Sequence, residues 1–184
     1  MSTLTKFMKT TMTKEEAIVK LNAALDVLYT VCDEMDWGDP FAAGRIREII
    51  LANYLNHKIG ESLHKEDAIN EDGDKIEYKT VLELLGLKGR YDVSWQPTWE
   101  LQLDYLKNEK IANNKFHYFA TFTNNCKLVS VYQMTGEKAL ELLLPKIQKK
   151  FNNFKAKEKL NLKNMSLHAT LSKKQIIENS IKIL

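Results

Sequence analysis

The strongest constraint on the fold is a predicted β-hairpin whose turn contains Asp72-Gly73. An Asp-Gly pair between two strand-like segments is a strong hairpin signal, because glycine readily adopts the positive φ that tight turns require. The first strand candidate covers 67–69, and the second alternates from Asp74 to Leu82. The hairpin therefore predicts a sheet in the middle of the chain.

Helical spacing precedes the hairpin. Thr13 and Glu16 form a capping-box pattern, which predicts the start of a first helix. Asp39-Pro40 resembles an N-cap followed by a first helical residue, so a second helix is predicted from there to about His57. Both segments repeat apolar residues at helical intervals.

Strand and helix patterns alternate after the hairpin. Thr98 and Ser172 are predicted to cap two of the helices, and a third is predicted over 136–151. The remaining strand candidates are 91–95, 116–123, 127–134 and 166–170. Strands in the middle of the chain with helices before and after them predict an α/β fold, with a central mixed β-sheet flanked by helices.

The length of 184 residues predicts a single domain over 1–184, with 1–12 as a flexible arm. The formal net charge of +3 hardly favours one class of partner over another. Its distribution is more informative, since most acidic residues lie in 1–104 whereas 105–184 is rich in lysine. This asymmetry is typical of a basic surface for DNA around an acidic metal site.

The cysteines and the hydropathy predict the compartment. Cys32 and Cys126 are not part of a CxxC motif, and reduced thiols are expected for both. No apolar run approaches the roughly 20 residues that a membrane-spanning helix requires. We therefore expect a soluble, cytoplasmic protein without a membrane partner.

The hairpin also predicts a site. Because side chains alternate across a strand, Glu77 and Lys79 are expected on the same face of the second strand. Folding the chain at the turn places Asp67 opposite Ile76, Glu77 or Tyr78, and opposed residues lie roughly 5 Å apart. Two carboxylates and one ammonium group are therefore expected to share a small area.

Such a cluster requires a compensating charge. A divalent cation would supply it, since Mg²⁺ is commonly held by one or two carboxylates together with phosphate oxygens. The metal ligands predicted are Asp67, Glu77 and a backbone carbonyl, that of Ile76 or of Tyr78. Lys79 would orient water or hold phosphate, and the chemistry this favours is phosphodiester hydrolysis.

Asp67, followed ten residues later by Glu77-Tyr78-Lys79, resembles the motif of the PD-(D/E)xK nuclease superfamily, and in particular that of small type II restriction endonucleases. Glu66 stands where the motif usually has proline. The resemblance implies a central mixed sheet flanked by helices, with Mg²⁺ at the site. It also implies Asp67, Glu77 and Lys79 as catalytic residues.

In many members of that superfamily an upstream helix donates a further acid, and the resemblance implies Glu48 for this role. The alternative for Glu48 is a solvent-facing ion pair with Arg45 or Arg47. Glu61 is another candidate for the additional acid. For the whole cluster, the alternative is a surface hairpin with an ion pair between its strands, which would contribute little stability.

The segment 88–97 mixes basic, aromatic and amide side chains. Because Arg pairs with guanine and Gln with adenine in the major groove, Arg90 and Gln96 are predicted to contact DNA. The alternative is a core strand, and for Trp95 and Trp99 burial in the core is the favoured interpretation.

These features predict a magnesium-dependent, sequence-specific endonuclease for double-stranded DNA of the type II restriction kind. Cutting both strands of a palindromic site would most simply require a homodimer. Two alternatives stay open: a homing, repair or junction-resolving nuclease of the same superfamily, and a non-catalytic DNA-binding module.

Overall fold

The computed structural model describes residues 12–42, 44–60, 66–155 and 166–184. The chain divides into two compact units, 1–40 and 41–184. The prediction of one nuclease domain over 1–184 therefore stays a prediction. All of the predicted arm except Met12 lies outside the described residues.

The described part of the first unit consists mainly of helix α1, Lys14–Glu34. The N–H of Glu16 donates to Oγ1 of Thr13 at 3.1 Å, and the N–H of Thr13 donates to Oε2 of Glu16 at 3.0 Å. These reciprocal bonds satisfy two backbone donors that no helical carbonyl can reach. The predicted capping box is confirmed.

Within the described residues, the second unit contains the strands and the other helices. The helices are α2 Arg45–Leu55, α3 Trp99–Tyr105, α4 Gly136–Lys155 and α5 Lys173–Asn179, with a 3-10 turn Glu83–Leu85 and a π-helical turn Leu106–Lys110. The strands are β1 Lys58–Ile59, β2 Ala68–Ile69, β3 Lys75–Leu82, β4 Gly89–Ser94, β5 Phe116–Phe122, β6 Leu128–Thr135, β7 Ser166–Leu171 and β8 Ile181–Lys182.

Six strands form a mixed sheet in the order β1-β2-β3-β5-β6-β8, and β4 and β7 form a second, antiparallel pair. The pairing of β3 with β5 is parallel, whereas the other neighbours in the six-stranded sheet are antiparallel. The predicted α/β class with a central mixed sheet and flanking helices is confirmed.

Helices cover both faces of the central sheet. Phe119 of β5 is fully buried in a core that includes Leu143 and Ile147 of α4. On the other face, Nε of Arg47 in α2 donates to Oγ1 of Thr80 at 3.1 Å. Since Phe119 is paired with Lys79 and side chains alternate, Thr80 and Phe119 point to opposite faces.

The start of the second helix differs from the prediction. The segment at Asp39-Pro40 is not helical, and α2 begins at Arg45 after Gly44. Gly44 has φ 89°, a left-handed conformation through which a right-handed helix cannot continue. The predicted cap at Asp39 is therefore wrong.

The other predicted elements are present with small changes at their ends. Thr98 and Ser172 cap α3 and α5 through their side chains, as predicted. Trp95 and Trp99 pack on the core, where their rings lie 5.6 and 5.2 Å from the ring of Phe151. Among the described residues, no helix is long and apolar enough to cross a membrane.

Candidate active site

The site begins at the pairing of β2 with β3. Ala68 pairs with Ile76, so Asp67 faces Glu77 at the open end of the hairpin. The N–H of Asp67 donates to the carbonyl of Ile76 at 3.0 Å, which extends the antiparallel ladder to the aspartate. The predicted juxtaposition of Asp67 and Glu77 is thus the one the strands adopt.

Local hydrogen bonds fix the turn that sets this register. The N–H of Gly73, at φ 82°, donates to the carbonyl of Asn70 at 3.1 Å. The N–H of Asp74 donates to Oδ1 of Asn70 at 2.8 Å. Nζ of Lys115 bonds Oδ2 of Asp74 at 2.7 Å, which ties the turn to the start of β5.

Asp67 turns its carboxylate toward the backbone of β3. Its Oδ2 accepts the N–H of Tyr78 at 2.6 Å. Burial raises the pKa of Asp67 to about 7, and the negative charges of Glu77 and Glu48 act in the same direction. The ammonium of Lys79 and the Tyr78 hydrogen bond lower it less than these effects raise it. The acid is therefore unstable as an isolated anion in this position.

Glu77, which is buried, and Lys79, which is partly exposed, form an ion pair on one face of β3. Burial by itself would raise the pKa of Glu77, but the charges of Lys79 and His117 outweigh it and hold that pKa below its ordinary value. Burial likewise opposes the charge on Lys79, while Glu77 and Asp67 together raise the pKa of Lys79. At neutral pH the glutamate is charged and the lysine is a cation.

Two side chains behind this pair, Tyr91 and His117, are not predicted from the sequence. Nζ of Lys79 lies 5.0 Å from the centre of the Tyr91 ring, a cation–π distance. The Tyr91 hydroxyl lies 2.9 Å from Nδ1 of His117, and Nε2 of His117 lies 2.9 Å from the carbonyl of Ile111. Because a carbonyl only accepts, Nε2 carries the proton and Nδ1 accepts from the tyrosine.

His117 is fully buried, and burial lowers its pKa to about 4. It is paired with Glu77 across β3 and β5. Nδ2 of Asn114 reaches Oε2 of Glu77 at 3.5 Å and the carbonyl of Lys110 at 3.3 Å. The one sequence feature that points to these supporting side chains is His117, a histidine inside the largely apolar strand β5.

Glu48 lies in the first turn of α2 and contributes to the same electrostatic cluster. Its Oε2 is 3.6 Å from Nη1 of Arg45, which is buried and donates from Nη2 to the carbonyl of Gly60 at 2.7 Å. Burial raises the pKa of Glu48 although Arg45 opposes this. Glu48 thus pairs with Arg45, but this pair does not face solvent as the alternative expected. Its charge also acts on Asp67 and Lys79, and its role as a further acid of a metal site stays a prediction.

The side chain of Tyr78 points away from the acids. Its hydroxyl lies 2.8 Å from Nδ1 of His57, and its ring meets that of Tyr118 edge-on. The Ile76 carbonyl already accepts a hydrogen bond from Asp67. Of the two backbone carbonyls predicted as metal ligands, Tyr78 thus stays the stronger prediction. Glu61 lies outside the described residues.

The two predicted DNA-contact residues lie in different environments. Arg90 lines a cleft of about 460 Å³ together with Glu48, Lys79 and Thr80. The backbone N–H of Gln96 donates to Gln102, and Gln96 is not part of the lining of this cleft in the described chain. The geometry therefore brings Arg90 to the acid–lysine cluster and does not bring Gln96 there.

A second cleft, of about 500 Å³, opens at Glu77. Its walls include Lys75, Lys110, Glu66 and Glu109, as well as asparagine side chains. The ion pair of Glu77 and Lys79 thus separates two solvent-accessible spaces, with the glutamate reached from one and the lysine from the other.

The residues present fit a hard divalent cation. Within the described ranges, no three His, Cys, Asp or Glu side chains lie close enough to form a complete metal centre. Asp67 and Glu77 nevertheless provide two largely buried carboxylates, and burial, together with the charge of Glu77, raises the pKa of Asp67. Mg²⁺ typically takes one or two protein carboxylates and completes its shell with water and phosphate, so this donor set suits it.

Comparison with known proteins adds no family name. No protein-family profile matches the chain, and no curated protein matches it in a sequence search. The interpretation of the site therefore depends on its geometry and on the sequence motif.

Proposed function

We propose that this protein is a magnesium-dependent endonuclease that hydrolyses phosphodiester bonds in double-stranded DNA. The main support for the proposal is the largely buried cluster of Asp67, Glu77 and Lys79 where β2 pairs with β3. A surface hairpin with a cross-strand ion pair would leave these groups in solvent, whereas Glu77 is only 6% exposed and Asp67 has a raised pKa. Buried, mutually perturbed groups beside a cleft are typical of functional sites.

Each side chain has a distinct task in this proposal. Asp67 and Glu77 would hold Mg²⁺, which when bound supplies positive charge against the scissile phosphate. Lys79 stays protonated because Glu77 and Asp67 raise its pKa, so it donates hydrogen bonds to phosphate or to the attacking water and does not act as a base. The Tyr91 ring packs against the ammonium of Lys79, and His117 holds the Tyr91 hydroxyl in place.

We further propose that the enzyme is of the sequence-specific, type II restriction kind and acts as a homodimer. One acid–lysine cluster lies in the described part of the chain, and each cluster can serve one strand. Two chains related by a twofold axis would place two clusters on the two strands of a palindromic site. The basic residues of the cleft beside Lys79 support DNA as the substrate.

The experiment that tests this function is digestion of long DNA by the purified chain, with Mg²⁺ and with EDTA, followed by sequencing of the new ends. We expect discrete fragments only with Mg²⁺, and one short sequence shared by their ends. Ends that map to branched or damaged sites would instead favour a repair or junction-resolving nuclease. Intact DNA across many substrates would contradict nuclease activity.

A matched pair of variants separates catalysis from binding. Asp67→Asn is expected to abolish cleavage and to keep DNA binding, because it changes one carboxylate at the base of the site. Asp104→Asn, an exposed aspartate of α3 whose Oδ1 accepts from Asn108 at 2.7 Å, is the control and should cut normally. Equal cleavage by both variants would contradict the assignment.

A further inference from the structure

Two adjacent clefts of the second unit share the side chain of Arg90. The first, of about 460 Å³, contains Lys79 and Glu48. The second, of about 680 Å³, lies between α4 and β7. Because Arg90 belongs to the walls of both, the two clefts adjoin each other at Arg90; together they are called the depression, and its first cleft contains Lys79 of the acid–lysine cluster.

The depression is basic along its whole length. In the first cleft the charged residues are Arg47, Lys79, Lys88, Arg90, Glu48 and Asp92. In the second they are Arg90, Lys146, Lys149 and Lys150, beside His168, and no acidic residue belongs to this described lining. Cations therefore outnumber acids in the first cleft and stand alone in the second.

Protein groups already neutralise the few acids in this region. Asp92 bonds Arg90 at 3.2 Å and also bonds His168. Glu48 is paired with Arg45, which lies outside both clefts. The acids thus do little to cancel the positive potential that the remaining cations create.

Two of the lysines, Lys146 and Lys150, bond α4 to the backbone of β7. Nζ of Lys146 donates to the carbonyl of Thr170 at 2.5 Å, and Lys150 donates to the carbonyl of His168. Four residues along the helix α4 cover about the same distance as two residues along the strand β7. Lysines four residues apart on α4 therefore meet carbonyls two residues apart on β7. These bonds account for Lys146 and Lys150, and they hold both ammonium groups at the cleft wall.

Three further cations, Arg47, Lys88 and Lys149, have no acid partner among the described residues. Arg47 bonds only the hydroxyl of Thr80 among the described residues, and Lys88 and Lys149 are exposed without a described acid partner. A single unpaired lysine is ordinary on a protein surface. Several of them along one depression that includes the partly buried Lys79 indicate a polyanionic partner.

The cleft at Glu77 provides the contrast. Its lysines, Lys75 and Lys110, are matched there by Glu66, Glu77 and Glu109. Glu66 lies 3.4 Å from Lys75. A polyanion would therefore be attracted to the Arg90 side of the cluster and not to the Glu77 side.

We propose that the depression marked by Arg47, Lys88, Arg90 and Lys149 is the surface along which a DNA phosphate backbone lies as it approaches Lys79. The identity of the polyanion as DNA rests on the proposed function. The surface itself requires only binding, and it assigns sequence-independent phosphate contacts to Lys88 and Lys149.

The test compares two double variants of the full chain with the same change of charge. Lys88→Gln/Lys149→Gln alters the depression, whereas Lys173→Gln/Lys182→Gln alters exposed lysines of α5 and β8 that line neither cleft. Fluorescence anisotropy with a labelled DNA duplex in EDTA, at several salt concentrations, measures binding without cleavage. Equal melting temperatures establish that both variants fold.

We expect the first double variant to bind DNA about tenfold more weakly than the wild type, and its plot of log K against log salt to lose a slope of about 2. The control should match the wild type. Equal weakening of both variants, or no change in the first, would overturn the proposed surface. Loss of binding to phosphatidylserine vesicles with unchanged DNA binding would overturn it too, since the partner would then be a membrane.

The two proposals fail in different ways. Weakened DNA binding by the first double variant, together with a wild type that cuts no DNA in Mg²⁺, keeps the surface and removes the nuclease. A wild type that cuts DNA, together with a double variant that binds and cuts equally well, keeps the nuclease and removes the surface.

Discussion

At the scale of single residues, the site brings several charged groups together in largely buried positions. Asp67 keeps a proton up to about pH 7, and Lys79 is held as a cation by the acids around it. These opposite effects arise from one cause, since burial penalises every charge and only the neighbours decide which group keeps it. Individual substitutions should therefore change stability in directions that depend on pH.

The first prediction concerns Asp67→Asn. The pKa of Asp67 rises from 3.8 to about 7 on folding, so its contribution favours the folded state at low pH and is lost as the pH rises through about 7. The amide can still accept the Tyr78 N–H but carries no charge. In EDTA we expect the variant to be more stable than the wild type by about 2–4 kcal/mol near pH 8, with the difference disappearing toward pH 4.

Urea unfolding at several pH values measures this difference. Asp92→Asn serves as the control with the opposite sign: burial raises the pKa of Asp92, but its bonds to His168 and Arg90 lower it overall. That variant should lose stability at neutral pH. If Asp67→Asn were less stable than the wild type near pH 8, the surroundings of Asp67 would not disfavour its charged carboxylate.

The second prediction concerns the Glu77–Lys79 pair. Lys79→Met leaves the buried Glu77 carboxylate without its cation, which we expect to cost about 3 kcal/mol of unfolding free energy. The double variant Lys79→Met/Glu77→Gln removes both charges and should recover part of that loss. A double-mutant cycle by urea unfolding gives the coupling, and strictly additive losses would contradict a buried, interacting pair.

Much of the site could be predicted from the sequence because Asp67, Glu77 and Lys79 lie close together in the chain. Alternation along β3 places Glu77 and Lys79 together, and the turn at Asp72-Gly73 brings Asp67 to them. Tyr91 and His117 could not be predicted as their support, because they come from β4 and β5, and their positions depend on how distant strands pair.

At the scale of elements, the second sheet is packed closely against the central one. A Cβ on Gly89 of β4 would lie 2.3 Å from Cε1 of Phe119, which is fully buried in β5. Only glycine allows this approach. Tyr91, two residues further along β4, therefore reaches Lys79 because of the space that Gly89 leaves.

The third prediction follows from that contact. Gly89→Ala should destabilise the protein by about 2–3 kcal/mol, since the buried Phe119 ring has little freedom to move. Phe119→Leu removes the ring atoms that the added Cβ would meet, so the double variant Gly89→Ala/Phe119→Leu should lose less stability than the sum of the two single changes. Thermal unfolding measures all three variants, and losses that simply add up would argue against tight packing at Gly89.

The elements that the sequence does not predict correctly are the start of α2 and the shortest strands. Asp39-Pro40 has the chemistry of a helix start, but the positive φ of Gly44 delays α2 to Arg45, and glycine has no side-chain pattern that announces this choice. The strands β1 and β8 have two residues each, too few for alternation to be visible. Both form by adding to the edges of a sheet whose position is set elsewhere.

At the scale of the whole molecule, one acid–lysine cluster per described chain limits what the proposed nuclease can cut in one binding event. Cleavage of both strands in one binding event requires two chains on the same DNA. The fourth prediction is that supercoiled plasmid with a single site is converted directly to linear DNA, and that sedimentation shows a dimer on a duplex. Accumulation of nicked circles by a monomer would contradict the proposed homodimer.

Binding of Mn²⁺, a spectroscopic substitute for Mg²⁺, tests directly whether Asp67 and Glu77 hold a metal ion, and the electron paramagnetic resonance of the free ion measures it. We predict that the wild type binds Mn²⁺ and that Asp67→Asn and Glu77→Gln each weaken binding by at least about tenfold. The control Asp104→Asn should bind normally. Identical affinity in all four proteins would contradict a metal centre between Asp67 and Glu77.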